Sequence, residues 1–319
     1  MELAKDNVVS VFWSGGMDST FMVLDFLRRG YKVQPHYISK FTKYTGREVK
    51  SIEYLSYLVQ KNFPFGKNLL TVDFHSSDMG KWENSEELMN AWKHIYLDLA
   101  GYPESYIFSK MRFTQYVLFA SIVDKFQGSM VGITGESLNR PILENYGKMK
   151  FTPEGFGYLD KELSDPAVYS VFGGYFYPLI RTSERDMIKL CYKYGFINVI
   201  KHIKFCYNEY RYGEPCGCCP PCQSKFDYKM YEYFTEDGYR NAVVRQQLFN
   251  EGMLFNGIPV MDLFERYCLV KKDYPFYNNL QVAAECRIPL EFCENFAYRL
   301  SHVNIDKAIK KRLGKWVFK

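Results

Sequence analysis

The sequence lacks the long apolar runs that mark membrane proteins. None of its 319 residues falls in a stretch of about 18 uncharged apolar residues, the length that a spanning helix needs. Residues 1–7 also lack the basic and apolar segments of a secretory signal peptide. We therefore expect a cytoplasmic protein without a membrane partner, whose nine cysteines are reduced rather than paired in disulfides.

Excess charge is equally scarce. The 41 basic and 36 acidic residues leave a net charge of +5, and residues 301–319 alone carry this excess. The neutral remainder disfavours a nucleic-acid partner. At helical spacing the tail would present one basic face, which favours a solvated helix or a contact surface for a protein or tRNA. The basic positions are Lys307, Lys310, Lys311, Arg312 and Lys315, opposite Ile305, Ile309 and Leu313.

Short apolar runs alternate with longer amphipathic ones within the first 200 residues, as in βαβ units. The predicted strands are residues 8–13, 33–38, 69–74, 129–133 and 175–180. The predicted helices are residues 18–29, 47–62, 86–99, 112–126 and 183–194. This alternation predicts an α/β fold, with a parallel sheet covered by helices on both faces and a site at the carboxyl ends of the strands.

The rest of the chain follows other patterns. Residues 140–174 have no clear periodicity, which predicts an ordered loop or a lid. Four of the nine cysteines lie between residues 206 and 222, and beyond residue 224 the pattern is helical. The predicted domains are residues 1–200, an α/β domain; residues 201–226, a cysteine knuckle; and residues 227–319, a helical extension.

A glycine-rich segment, Ser14-Gly15-Gly16-Met17-Asp18-Ser19, joins the first predicted strand to the first predicted helix. Glycines let the backbone approach an anion, and the amides at a helix start favour negative charge. Ser14, Ser19 and Thr20 would add hydroxyl donors, whereas Asp18 would have to cap the helix or meet a metal ion. The segment is neither a Walker loop nor a dinucleotide fingerprint, and a tight turn before a capped helix is the alternative.

The clustered cysteines have the spacing C-x9-C-x2-C-x2-C, which can close a tetrahedron of thiolates around zinc. They are Cys206, Cys216, Cys219 and Cys222. We interpret Cys218, which adjoins Cys219, as a bystander. A redox or sulfur-carrying pair at Cys219 and Cys222 is one alternative and would need an exposed helix start. Plain core cysteines are another. His202 is a weaker alternative ligand.

The glycine segment resembles the PP-loop of the N-type ATP pyrophosphatases, which cleave ATP between the α and β phosphates. Together with Cys216-Gly217-Cys218-Cys219-Pro220-Pro221-Cys222, it is similar to the 7-cyano-7-deazaguanine synthase family. Tyr177-Pro178-Leu179-Ile180 also resembles the late strand of that family. The resemblance covers roughly residues 8–226 and implies an adenine-nucleotide α-hydrolase-like fold.

The resemblance implies an ATP-dependent ligase. Members of the family adenylate 7-carboxy-7-deazaguanine and form a nitrile with ammonia through an amide. The implied cofactors are ATP, Mg²⁺ and Zn²⁺, with zinc held by the four cysteines. The implied substrates are a small deazapurine carboxylate and ammonia or another amine. The implied ATP-binding residues are Ser14, Gly15, Gly16, Met17, Asp18, Ser19 and Thr20, of which Ser14, Asp18 and Ser19 would act in catalysis.

Five further residues are candidates for binding the substrate. Tyr44 and Arg47 partly match a Tyr-Gly-Gln-Arg segment of the family, and Arg112 resembles the arginine of its Arg-Asn helix. Glu136 has the acceptors to read a guanine-type edge, and Arg140 has the donors to meet a carboxylate bidentately. A surface position is the alternative for Glu136 and Arg140.

The sequence departs from the family pattern in ways that favour a changed acceptor site. Residues 134–141 replace a Tyr-Pro-Asp-Cys-Arg segment that helps to recognise the deazaguanine, residues 140–174 form a longer insertion, and the helical extension has no counterpart. A divergent member could therefore conjugate the deazapurine to a protein amine, with the extension recruiting that protein. PP-loop tRNA thiolation and a non-catalytic adaptor are the remaining alternatives.

Overall fold

The computed structural model describes residues 7–39, 45–76, 86–101, 114–123, 130–132, 140–208 and 214–316. The chain divides into two compact units, of which the first ends at Ile203 and the second starts at Lys204. The cysteine segment and the helices that follow it belong to the second unit. Within the described ranges, no helix is both long enough and apolar enough to cross a membrane.

The first unit is built on a seven-stranded sheet with the order β3-β2-β1-β4-β7-β6-β5. Its strands are β1 (Val8–Phe12), β2 (Lys32–Ser39), β3 (Asp73–Ser76), β4 (Met130–Gly132), β5 (Met149–Phe151), β6 (Gly157–Leu159) and β7 (Phe176–Tyr177). The pairs from β3 to β7 are parallel, and β5 and β6 add an antiparallel edge. The predicted α/β class with a parallel sheet is therefore confirmed.

Helices connect these strands and form two packed groups. They are α1 (Met17–Arg28), α2 (Thr45–Asn62), α3 (Glu86–His94), α4 (Thr114–Val123), α5 (Arg140–Asn145), α6 (Pro166–Phe172), α7 (Glu184–Lys193) and α8 (Ile197–Ile200). α1, α2, α7 and α8 pack together, and α3, α4 and α6 form the other group. α7 lies within the helix predicted for residues 183–194, and the Ser183 side chain caps its start by accepting from the amide of Asp186.

The prediction of a loop or lid for residues 140–174 is wrong for most of that segment. It contains α5, α6 and the hairpin formed by β5 and β6, which extends the sheet at its edge. The strands are only three residues long and α5 only six, so neither shows enough periods to be recognised. Hydrogen bonding to the existing sheet edge, at β7, stabilises the hairpin.

β1 is the middle one of the five strands that are joined by parallel pairs, and it ends directly before the glycine segment. It pairs with β2 on one side and with β4 on the other, and four of its five residues are buried. The amide of Trp13 donates to the carbonyl of His36 (2.8 Å), so the pairing with β2 continues past the strand end. The strand order reverses between β1 and β4, which is where α/β sheets open a crevice for ligands.

The second unit is predominantly helical. Its elements are α9 (Pro220–Asp227), α10 (Glu236–Glu251), β8 (Leu254–Phe255), β9 (Ile258–Pro259), α11 (Val260–Asp273), α12 (Asn279–Cys286), α13 (Leu290–His302) and α14 (Lys307–Lys310). Side chains mark several helix starts: Thr235 accepts from the amide of Gly238, and Asn278 and Gln281 form a reciprocal capping box. These helices agree with the helical pattern predicted beyond residue 224.

The basic tail does not form the long helix with one basic face that its spacing predicts. α14 is four residues long, and turns follow it. Arg312 forms two hydrogen bonds with the carboxylate of Glu232 (2.7 and 3.0 Å), and Lys310 lies 3.2 Å from that of Glu236. Acidic partners within the same unit thus neutralise part of the charge that the sequence concentrates in the tail.

Two histidines meet beside the end of β1. His36, on β2, is 3% exposed, and its Nδ1 atom lies 3.1 Å from Nε2 of His75 on β3. The carboxylate of Asp73 lies 3.6 Å from the same Nδ1 atom. Burial, and to a smaller extent the neighbouring His75, lower the pKa of His36 from 6.5 to about 4, while Asp73 opposes both effects.

This depressed pKa predicts an acid-sensitive first unit. In the unfolded chain His36 takes up a proton near its usual pKa of 6.5, whereas in the folded protein it resists protonation down to about 4. Stability is therefore lost as the pH falls through this window, by about 2 kcal/mol between pH 7 and pH 5. Urea unfolding of wild type and His36→Gln at the two pH values measures the loss. An equal loss in the variant would contradict the role of His36.

Candidate functional site

The glycine loop makes a sharp turn between β1 and α1. Gly15 has φ +75° and Gly16 caps α1 in an extended conformation, so the chain turns sharply between β1 and α1. Because the residue at the cap position is a glycine, it supplies no side-chain cap to the start of α1. Asp18 lies in the first turn and is partly exposed. The predicted junction of a buried strand, a glycine loop and a helix start is therefore present.

The hydroxyl groups of the loop divide into two roles. Ser14 is exposed, and its Oγ lies 3.3 Å from Oγ of Ser19. Thr20 is fully buried and accepts a hydrogen bond from Nε1 of Trp13 (2.9 Å). Ser14 and Ser19 thus lie together at the loop, whereas the hydroxyl of Thr20 holds the start of α1 against the end of β1. Met17, which is 5% exposed, packs in the core beneath.

α2 packs directly against the loop. A Cβ atom at Gly15 would lie 3.3 Å from Cγ1 of Ile52, a tight contact, and 3.5 Å from Oγ of Ser51. Ser51 is 8% exposed, and its hydroxyl has no hydrogen-bond partner among the described residues. It is the functional candidate that sequence reasoning missed, because only the packing of α2 brings it to the loop.

Of the five candidate substrate residues, the structure describes the side chain of one. Arg47 is half-buried and lies one helical turn before Ser51 on α2, on the face that packs toward the loop. Arg140 is the first residue of α5. Tyr44, Arg112 and Glu136 lie outside the described residues. The prediction that these residues contact a substrate therefore stays a prediction.

The four clustered cysteines converge on one point. Their sulfur atoms all lie within 4.8 Å of one another. The distances are 3.8 Å between Cys206 and Cys219 and 3.9 Å between Cys216 and Cys222. Four ligands at the usual Zn–S distance of about 2.3 Å form a tetrahedron whose edges are about 3.8 Å, so the sulfur positions fit a zinc ion.

Backbone amides and burial support a metal centre at these cysteines. The amide of Cys216 points at Sγ of Cys206 (3.3 Å), and that of Cys219 at Sγ of Cys216 (3.4 Å). The other thiols, that of Cys206 first, lower the pKa of Cys216 by hydrogen bonding, whereas burial raises the pKa of Cys222. All four cysteines are fully buried, which a disulfide-exchanging pair at Cys219 and Cys222 would not be.

Polar residues around the cysteines complete the centre. Nδ2 of Asn208 lies 3.6 Å from Sγ of Cys216 and donates to the carboxylate of Glu265 (3.0 Å). Nδ2 of Asn241, on α10, donates to the carbonyl of Cys216 (2.9 Å). Such outer partners orient metal ligands, and their distance along the chain hid them from sequence reasoning.

Two residues that the sequence placed near the cysteines have other partners. Cys218 is fully buried and interacts with Cys268 on α11 as well as with Cys216, but it is not one of the four converging sulfurs. His202, the weaker alternative ligand, belongs to the first unit and packs against the ring of Tyr54 at 5.4 Å. The structure thus supports the predicted set of four ligands.

One glycine makes this centre possible. Gly217 has φ +80°, and a Cβ atom there would overlap the carbonyl oxygen of Gly238 at the start of α10. The knuckle therefore packs backbone to backbone against the helix, with no room for a side chain. The cysteine segment and the start of α10 are therefore in direct backbone contact within the second unit.

Comparisons with known proteins do not place the chain in a family. No protein-family model matches it, and no curated protein matches it. The candidate sites are therefore defined by their own geometry: a glycine loop in the first unit and a group of four thiols in the second.

The ligand set predicts the metal content of cysteine variants. We expect about one zinc ion per wild-type chain, and Cys216→Ser should lose it and unfold several degrees earlier, because three thiolates do not complete the tetrahedral site and the binding free energy of the ion no longer stabilises the fold. Cys218→Ser is the matched control, since it removes an equally buried neighbouring thiol, and it should keep the ion. Elemental analysis and thermal unfolding measure both effects. Zinc retained in Cys216→Ser but lost in Cys218→Ser would show that the ligand set is wrong.

Proposed function

We propose that the protein is an ATP-dependent ligase that adenylates a small carboxylate and joins it to ammonia or another amine. The observation that carries this proposal is the glycine loop. It combines two adjacent glycines, a helix start with glycine at the cap position and the paired hydroxyls of Ser14 and Ser19 at the end of a central strand. These are the features that bind a departing pyrophosphate.

The proposed chemistry follows from what such a loop stabilises. A carboxylate oxygen attacks the α-phosphorus of ATP, the bond to the β-phosphate oxygen breaks, and pyrophosphate leaves with its electron pair. Ammonia or another amine then attacks the carbonyl carbon of the acyl adenylate, and AMP leaves as the amide forms. Negative charge grows on the leaving pyrophosphate, so fixed amides and hydroxyls lower the barrier. Ser51 adds a buried hydroxyl beside Gly15 that can turn toward the same anion.

The cofactors assigned to this reaction fit residues of the chain. Asp18, partly exposed in the first turn of α1, is the carboxylate that would hold Mg²⁺ near the phosphates, and Mg²⁺ would supply positive charge there. The four cysteines would hold Zn²⁺ in a closed site without an open position, so its role is structural.

The resemblance to the 7-cyano-7-deazaguanine synthases suggests the acceptor. Under this proposal the carboxylate is 7-carboxy-7-deazaguanine or a related deazapurine, and the first product is its amide. A nitrile forms when a second ATP adenylates the amide oxygen, with release of pyrophosphate, and this oxygen then leaves with AMP as the nitrogen loses its two protons. Arg47, on the α2 face that packs toward the loop, is placed to approach a carboxylate beside the nucleotide.

A second candidate is conjugation of the deazapurine to a protein amine. The replacement of the family's Tyr-Pro-Asp-Cys-Arg segment by residues 134–141 favours it, because that segment helps the family to recognise its substrate. The tRNA thiolation alternative fits less well. It needs a reactive cysteine pair, whereas Cys219 and Cys222 are fully buried within a group of four.

Pyrophosphate release tests the proposed function. Wild-type protein with ATP, Mg²⁺, 7-carboxy-7-deazaguanine and ammonia should release pyrophosphate and form the amide or nitrile, followed by mass spectrometry. Ser14→Ala should lower the rate by about 100-fold, because it removes a donor to the leaving group. Ser170→Ala, which removes an exposed hydroxyl on α6, is the control and should react like wild type.

The outcomes separate the two candidates. Rapid nitrile formation with ammonia would exclude the protein-amine reaction. Pyrophosphate release that requires a peptide amine would support it. If no carboxylate in a deazapurine panel elicits pyrophosphate release from folded, zinc-loaded protein, the ligase proposal fails.

A further inference from the structure

A cleft in the second unit lies outside both sites described above. Its volume is about 410 Å³, within the range of small-molecule sites. One stripe of α9 lines it, and α10 contributes one arginine. The lining residues are Pro220, Gln223, Ser224, Asp227, Tyr228 and Arg245. Because these α9 residues recur at three- and four-residue spacing, they form a continuous helix face.

The floor of the cleft holds a buried cation. Arg245 is 7% exposed, and its Nε atom has no hydrogen-bond partner among the described residues. Among the described residues its guanidinium forms no ion pair. Burial raises the pKa of Glu265, and the charge of Arg245 partly opposes this rise. The guanidinium of Arg245 thus lines the cleft with hydrogen-bond donors that a ligand can use.

A second buried group at the cleft also lacks a partner. Gln223 is 9% exposed, and its Oε1 atom has no hydrogen-bond partner in the described structure. Its Nε2 atom donates to the carboxylate of Asp227 (3.0 Å) and to Oε1 of Gln246 (2.6 Å). Gln223 therefore holds Asp227 in place at the cleft and keeps one acceptor unused.

The cleft has a positive charge at its floor and a negative charge at its rim. Arg245 lies buried, whereas Asp227 and Tyr228 are exposed. A planar guanidinium recognises a carboxylate, and a carboxylate at the rim recognises an ammonium group. A phosphate dianion would meet the one cation but would be repelled by Asp227. The arrangement suits a ligand with one negative and one positive group.

We propose that this cleft binds a small molecule that carries both a carboxylate and a protonated amine, the chemical class of the free amino acids. The ligand carboxylate pairs with Arg245 on the floor, and its ammonium group faces Asp227 at the rim. The proposal rests on residues of the second unit alone and stands whether or not the glycine loop binds ATP.

Thermal unfolding and calorimetry of the full chain test the proposal. The probes are the twenty amino acids one at a time, with acetate, methylamine and inorganic phosphate for comparison. At least one amino acid should raise the unfolding temperature and bind with a dissociation constant of about 1 mM or below. Arg245→Met should abolish binding and raise the unfolding temperature of the free protein, because it replaces an unpaired buried charge with an apolar side chain.

Three further variants keep the test decisive. Asp227→Asn and Arg245→Lys should each weaken binding about tenfold or more while keeping native zinc content. Arg240→Met is the matched control on α10, because Arg240 donates to the carbonyls of Leu300 and Val303. It should lower the unfolding temperature and leave ligand affinity unchanged.

The opposite results would overturn the proposal. An unchanged unfolding temperature with all twenty amino acids would remove the site. Equal protection by acetate or phosphate would remove the amino-acid class. Undiminished binding in Arg245→Met would show that Arg245 does not bind the ligand.

Discussion

The central position of β1 is the constraint on which the first unit depends. The strand is hydrogen-bonded along both edges, and the amide of Trp13 extends this pairing by one residue beyond its end. The indole of Trp13 then binds the hydroxyl of Thr20, so the end of the strand and the start of α1 are joined directly. The two glycines between these anchors are the part of the segment left to meet a ligand. Rigid elements on both sides position a loop more accurately than a free connection would.

The second unit depends on an equally local constraint. Gly217 and Gly238 bring the knuckle backbone against the start of α10, and this contact leaves no space for a side chain. Asn241, one turn along α10, can then bind the carbonyl of Cys216. A metal ion at the cysteines would therefore stabilise the first turns of α9 and α10 together. Because the cleft lies between these helices, its walls would be held by the same metal centre.

The features that could be predicted from the sequence are each encoded by a few consecutive or closely spaced residues. The run from Val8 to Phe12, the glycine loop and the cysteine spacing each carry their information within a few residues, and each is present in the structure. Ser51 and Asn208 escaped prediction because their roles arise from packing between elements far apart in the chain. The hairpin near residues 149–159 escaped because a three-residue strand is defined by its neighbours rather than by its own pattern.

Charge shows the same limit of sequence reasoning. Counting charges marked the tail as the notable basic feature, yet Arg312 pairs with Glu232 and is satisfied within its own unit. Arg245 adds nothing unusual to the count, but the fold buries it at the floor of a cleft without an ion pair among the described residues. Burying this cation destabilises the fold. A bound anion would offset that destabilisation, because it would solvate the guanidinium in place of water. Whether a cation can bind a ligand therefore depends on whether the fold already pairs it with a carboxylate.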